Sequence, residues 1–251
     1  MPGSTSAGDG PRRTSSSRPQ VVRREKEGCS LGANRVGDDQ PTANQRLFLA
    51  LFPPPAAAEH VAQHLRALPS CRQGDLLRLV PADRLHVTLA FLGAVPAGGR
   101  RAALHRELTA SITAFAPPQP LQLAGSGRFG DSVGWVGLVG PRIASSGPPE
   151  SLARDVRTVK RACRAARCPP DDGRPWQPHL TVARAGRSGG TQPMARTEVR
   201  AEVRAALRLL AAELADYAGP EWLPDRYSLV AASGGPRPRY ERLADYPLPG
   251  P

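Results

Sequence analysis

His86 and Thr88 stand two residues apart in the run RLHVTLAFLG, and His179 with Thr181 repeats the arrangement in PHLTVAR. In an extended strand, residues two apart share a face, so each histidine travels with its threonine while Leu85, Val87 and Leu89, or Leu180 and Val182, point into a core. Each motif is a polar pair on an apolar backing. If the two strands face one another across a cleft, two imidazoles and two hydroxyls converge on one small volume. That set suits in-line displacement at phosphorus. One neutral imidazole takes a proton from the attacking oxygen while the other, protonated, gives one to the leaving oxygen, both working near the ordinary value of about 6.5. The threonine hydroxyls can hydrogen-bond the non-bridging oxygens, and no metal or cofactor is required. Five histidines and ten threonines among 251 residues predict about 0.03 chance copies of such a motif, so two by accident is of order 10⁻³.

Other reactive side chains lack partners of the right kind. His60 and His64 lie four apart on a predicted helix without an acidic or cysteine neighbour to complete a metal set, and His105 stands alone. The four cysteines, Cys29, Cys71, Cys163 and Cys168, form no C-x-x-C pair, as expected of a protein of the reducing cytoplasm. The glycines of GSGRFG precede no G-K-[ST], so the segment reads as a turn between strands and not as a phosphate loop. Arg154, Arg157, Lys160, Arg161, Arg164 and Arg167 stripe one helix, as either a solvated face or a track for an RNA backbone.

A net charge of +12 favours anionic partners, although the Ala, Arg, Gly and Pro excess also matches a GC-rich coding sequence. No apolar run approaches the roughly 20 residues of a membrane span, so no membrane partner is expected. Residues 1–44 carry almost no large apolar side chains and read as a disordered tail before a domain over 45–251. The run QRLFLALF, stopped by Pro53 to Pro55, reads as a buried strand. Helices are predicted over 56–68, about 99–115, 151–166 with Ser151 as N-cap, and about 198–217. Between and after them, LLRLV, LHVTLAFL, PLQLAGSGRF, SVGWVGLV, HLTVAR, RYSLVAAS and PRYERLADYPL read as strands. This order implies an α+β protein with mostly antiparallel sheet in two similar lobes, each holding one histidine motif.

The paired H-x-T motifs resemble those of the two-histidine (2H) phosphoesterases. With RLFLAL, LHVTLAFLG, PHLTVAR and GPRPRYERLADYPL in that order, the chain is similar from Gln45 to about Leu248 to the RNA 2′,3′-cyclic phosphodiesterases of bacteria and archaea, also called 2′-5′ RNA ligases. The resemblance implies a bilobal α+β fold, with two pseudo-symmetric lobes and outer helices around a central cleft. It also implies metal-independent hydrolysis of RNA 2′,3′-cyclic phosphate ends, such as those of tRNA fragments, to 2′-phosphates, with possible reversible 2′-5′ ligation, by a monomer. By the family's pattern His86 and His179 are the acid–base pair. His86 is assigned as donor to O3′ and His179 as acceptor from water, the reverse order remaining open, and Thr88 and Thr181 hold the phosphate.

Arg184 closes the second motif where family members carry an arginine, so it is a further phosphate ligand by resemblance. Strict alternation puts it on the face of Leu180 and Val182, and it reaches the site only if the strand ends or bulges near Ala183. The family's aromatic residue before motif one is absent here, leaving Phe48, Phe129 and Trp135 as stacking platforms for a base. Two other readings use the same residues. One is a 2H enzyme for another small cyclic nucleotide or a 2′-5′ oligonucleotide, and the other a non-catalytic module that binds RNA ends.

Overall fold

Leu47, Leu49 and Leu51 lie in the main core while Phe48 and Ala50 are buried in a smaller cluster on the opposite face. This explains why the first strand is apolar at every position from Leu47 to Leu51 and not in alternation. The chain, seen in a computed structural model, is described over residues 45–72, 74–140, 149–186, 193–233 and 239–250. The tail expected over 1–44 lies outside the described residues.

The strands are β1 (Gln45–Leu51), β2 (Leu77–Leu79), β3 (Val87–Val95), β4 (Leu121–Phe129), β5 (Val133–Val139), β6 (His179–Ala185), β7 (Ala218–Trp222), β8 (Arg226–Ala232) and β9 (Tyr240–Pro247). The helices are α1 (Pro55–Ala67), the single turn α2 (Pro69–Arg72), α3 (Gly99–Ala110), α4 (Glu150–Ala165) and α5 (Pro193–Glu213). All nine described strands join one antiparallel sheet in the order β7-β4-β5-β6-β3-β1-β8-β9, with β2 on the free edge of β6. The sheet has two halves, β9-β8-β1-β3 and β6-β5-β4-β7, and the ladder between them is the single pair Val87 with Leu180. The two motif strands are therefore side by side in one sheet, where the sequence led us to expect strands facing each other across a gap.

Residues of all four longer helices enter the one large core on one face of this sheet, among them Val61, Leu104, Val156 and Leu207. The other face carries the histidine motifs. A buried carboxylate helps fix α4. Asp155 accepts from the Tyr227 hydroxyl at 2.6 Å and the Ala116 amide at 2.8 Å, and burial holds its carboxyl above the usual range.

Three local expectations change. Ser151 is not the N-cap, since α4 starts after Pro149, and the Ser151 hydroxyl donates to Gln119 at 2.9 Å. GSGRFG is not a turn, because Gly125 to Phe129 belong to β4, and Gly125 at φ 63° marks a one-residue bulge. β7 was not expected from the sequence. It is a five-residue edge strand that contains Pro220, a residue tolerated only where one side of the ladder is free.

Candidate active site

The Val87 and Leu180 pair brings the two motifs together. Carried one residue each way, the antiparallel register sets His86 opposite Thr181 and Thr88 opposite His179. All four lie on the face away from the buried Val87 and Leu180. His86 and His179 are then diagonal neighbours, about 7–8 Å apart, and somewhat less at Cβ, in a regular ladder. One phosphodiester fits between rings so placed.

Both rings are held in the same way. His86 Nδ1 lies 2.8 Å from the Arg84 carbonyl, and His179 Nδ1 lies 2.8 Å from the Gln177 carbonyl. A carbonyl only accepts, so each Nδ1 carries the proton and donates it, leaving each Nε2 free for proton transfer. The surroundings differ. His86 sits among Phe48, Tyr240 and Phe52, with ring centroids 4.9, 5.2 and 5.7 Å away. Burial pushes its pKa down to about 4. The bond to Arg84 opposes the shift, while the charges of Arg184, His179 and Arg84 add to it. His179 packs edge-on to Phe129 at 4.7 Å and near Trp135 at 6.2 Å. Its pKa is also lowered, by burial and by Arg184, against its bond to Gln177. A cleft of about 600 Å³ opens beside His179 and Thr88, lined also by Phe91, Phe129, Lys160 and Trp176. A hollow of about 670 Å³ beyond Phe52 touches neither histidine.

Arg184 reaches this face through a bulge. Thr181 pairs with Trp135, but Ala183 pairs with Gly134 and Arg184 with Val133, so Val182 is an extra residue and the alternation flips after it. Val133 and Trp135 share a face of β5, which returns Arg184 to the side of Thr181, and its charge acts on both imidazoles. The first motif has the same device. Ala50 pairs with Thr88 and Leu49 with Ala90, making Leu89 the extra residue, so Phe91 comes out on the site face, 42% exposed. Phe91 thus stands at the offset from Thr88 that Arg184 has from Thr181. Phe91 was not among the residues expected at the site, though the common spacing of the two motifs marks the position.

Of the aromatic residues expected to stack on a base, Phe48 is 4% exposed and packs on His86, which leaves it no free face. Phe129 lines the cleft. Trp135 lies flat over Gly127, where an added Cβ would come within 2.2 Å of the indole, and this explains that glycine. His60 and His105 are structural, each with Nδ1 bonded to a tyrosine hydroxyl, Tyr217 at 2.9 Å and Tyr246 at 3.0 Å. Among the described residues no group of three or more His, Cys, Asp or Glu side chains is placed to hold a metal ion. Nor is any described helix long and apolar enough to cross a membrane.

An RNA 2′,3′-cyclic phosphodiesterase of Geobacillus stearothermophilus is 34% identical over 174 residues, 68% of this chain and 48% of that protein. The chain therefore spans about half the length of that curated relative. E. coli LigT, solved in complex with ATP and with 3′-AMP, matches with TM-scores of 0.55 and 0.56 at 26% and 25% identity, over 82% of this chain and 98% of LigT. The model of the 2′-5′ RNA ligase superfamily matches residues 52–221, a span that takes in both H-x-T motifs and the strands that pair them. The chain belongs to the 2′-5′ RNA ligase superfamily.

Proposed function

We propose that the protein hydrolyses RNA 2′,3′-cyclic phosphate ends to 2′-phosphates without a metal ion, and that ligation of 2′-5′ ends is the same chemistry reversed. The observation that carries this is the Val87 and Leu180 register, which puts two imidazoles with free Nε2 atoms and two threonines on one face. The activity of the Geobacillus relative supports it.

His179 is the base. It borders the open cleft, where water has access, and its Nε2 takes a proton as the water oxygen attacks phosphorus. As the P–O3′ bond breaks, His86 Nε2–H gives its proton to O3′, and the phosphate stays on O2′. A buried imidazolium is a stronger acid than a solvated one, which suits a donor. The negative charge of the bound phosphate offsets the burial and the neighbouring positive charges that keep His86 neutral in the free protein. Thr88 and Thr181 hydroxyls and the Arg184 guanidinium hold the non-bridging oxygens. The terminal base stacks in the cleft on Phe91 or Phe129. The working form is a monomer in the cytoplasm, acting on ends such as those of cleaved tRNA.

The test is to incubate the protein, in EDTA, with an oligoribonucleotide ending in a 2′,3′-cyclic phosphate and to map the product. A 2′-phosphate is expected. Turnover that is lost in EDTA and restored by a divalent ion would overturn the mechanism, and a 3′-phosphate would overturn the choice of leaving group.

A further inference from the structure

The cleft is bounded on one side by Lys160 of α4. At 100° per residue, Arg154, Arg157, Lys160, Arg161 and Arg164 fall within about 120° of the circumference of that helix. The opposite arc is buried through Leu152, Val156, Val159 and Cys163. The charged ridge therefore runs along the outer side of the helix and meets the cleft at Lys160. Its cleft-facing edge is braced, for Asp172 accepts from Lys160 at 2.6 Å and pairs with Arg164. On the side of the ridge away from the cleft, Arg157 and Arg161 are exposed and have no ion-pair partner among the described residues. Arg174, also at the cleft, is likewise unpaired among the described residues. The acidic side chains on this path are Asp171 and Asp172, next to the cleft, and Glu150, which falls on the same arc in the first turn of α4.

We propose that the outward ridge of α4 is a docking track for single-stranded RNA leading into the cleft, so that the preferred substrate is a polynucleotide end and not a cyclic mononucleotide. This rests on the reading of the site given above. The helix rise of 1.5 Å per residue spaces Arg157, Arg161 and Arg164 about 5 Å apart along the axis, a row of cations fitted to successive backbone phosphates. Each cation that meets a phosphate of a single strand adds about 0.7 to the slope of log affinity against log salt.

The experiment compares kcat/KM for a decanucleotide ending in a 2′,3′-cyclic phosphate with that for a 2′,3′-cyclic mononucleotide, in the wild type and in the Arg157→Gln, Arg161→Gln double variant. The wild type is expected to favour the decanucleotide and to lose that preference as salt rises. The variant should lose about tenfold on the decanucleotide and reduce the salt slope by about 1.4. Its turnover of the mononucleotide, which is too short to reach the helix, should stay within about twofold. A decanucleotide rate unchanged in the variant would overturn the track. So would equal salt slopes for the two substrates in the wild type, a measurement that needs no variant. Failure of the wild type to turn over either substrate would instead reject the underlying reading of the site.

Discussion

Two backbone carbonyls decide how the imidazoles work. Because Arg84 and Gln177 each accept from an Nδ1–H, both rings present Nε2, and either histidine replaced by alanine is expected to lower kcat by at least about 10² in a cyclic-phosphate assay. The reaction needs one ring neutral and one charged, and both pKa values lie below the ordinary 6.5 in the free protein. The kcat/KM profile is therefore expected to have both limbs below pH 6.5 and to fall as pH rises beyond it. A bell centred above pH 7 would contradict this. Arg184 contributes to both shifts. Arg184→Ala should move the alkaline limb upward while kcat/KM drops by about 10 to 100-fold, the range for a hydrogen bond to a charged group. Arg184→Lys keeps the charge without the fork, so the limb should stay in place while kcat/KM recovers only in part.

At the scale of elements, α4 tests whether packing and chemistry separate. Asp155→Ala leaves the Tyr227 hydroxyl and the Ala116 amide without their acceptor in the core, and is expected to cost about 2–3 kcal/mol in a urea melt. Activity per folded molecule should not change. The helices and the motif strands were legible in the sequence because their apolar periodicity is strong, as in α4 with Val156, Val159 and Cys163 on one side and arginines on the other. The catalytic pair was legible because it occurs twice. Register breaks were not. Nothing in LTVAR announces that Val182 is the extra residue, since a bulge shows only against the partner strand, here Gly134 and Trp135. The same blindness hid Phe91, placed by the bulge at Leu89. It also hid β7, too short and too proline-bearing to show a strand pattern.

For the whole molecule, burying His86 in its neutral form makes the fold acid-sensitive. With a folded value of about 4 against 6.5 unfolded, the unfolded chain binds the proton first as pH drops. Stability is then complete above pH 6.5 and falls by about 3 kcal/mol on going to pH 4, at 1.36 kcal/mol per pKa unit. His86→Gln should flatten that part of the stability curve in denaturant titrations at pH 4, 5.5 and 7. The two halves of the sheet share one ladder pair, so beyond it the edge of β3 faces a wedge. The segment ahead of β6 fills that wedge, with the Trp176 indole N–H donating to the Thr88 carbonyl at 2.9 Å and the Asp171 amide to the Phe91 carbonyl at 2.8 Å. The distance between acid and base is thus governed by a spacer that contains neither. Relatives with bulkier or slimmer inserts there would retune the jaw for a different phosphoester while every reacting atom stayed the same.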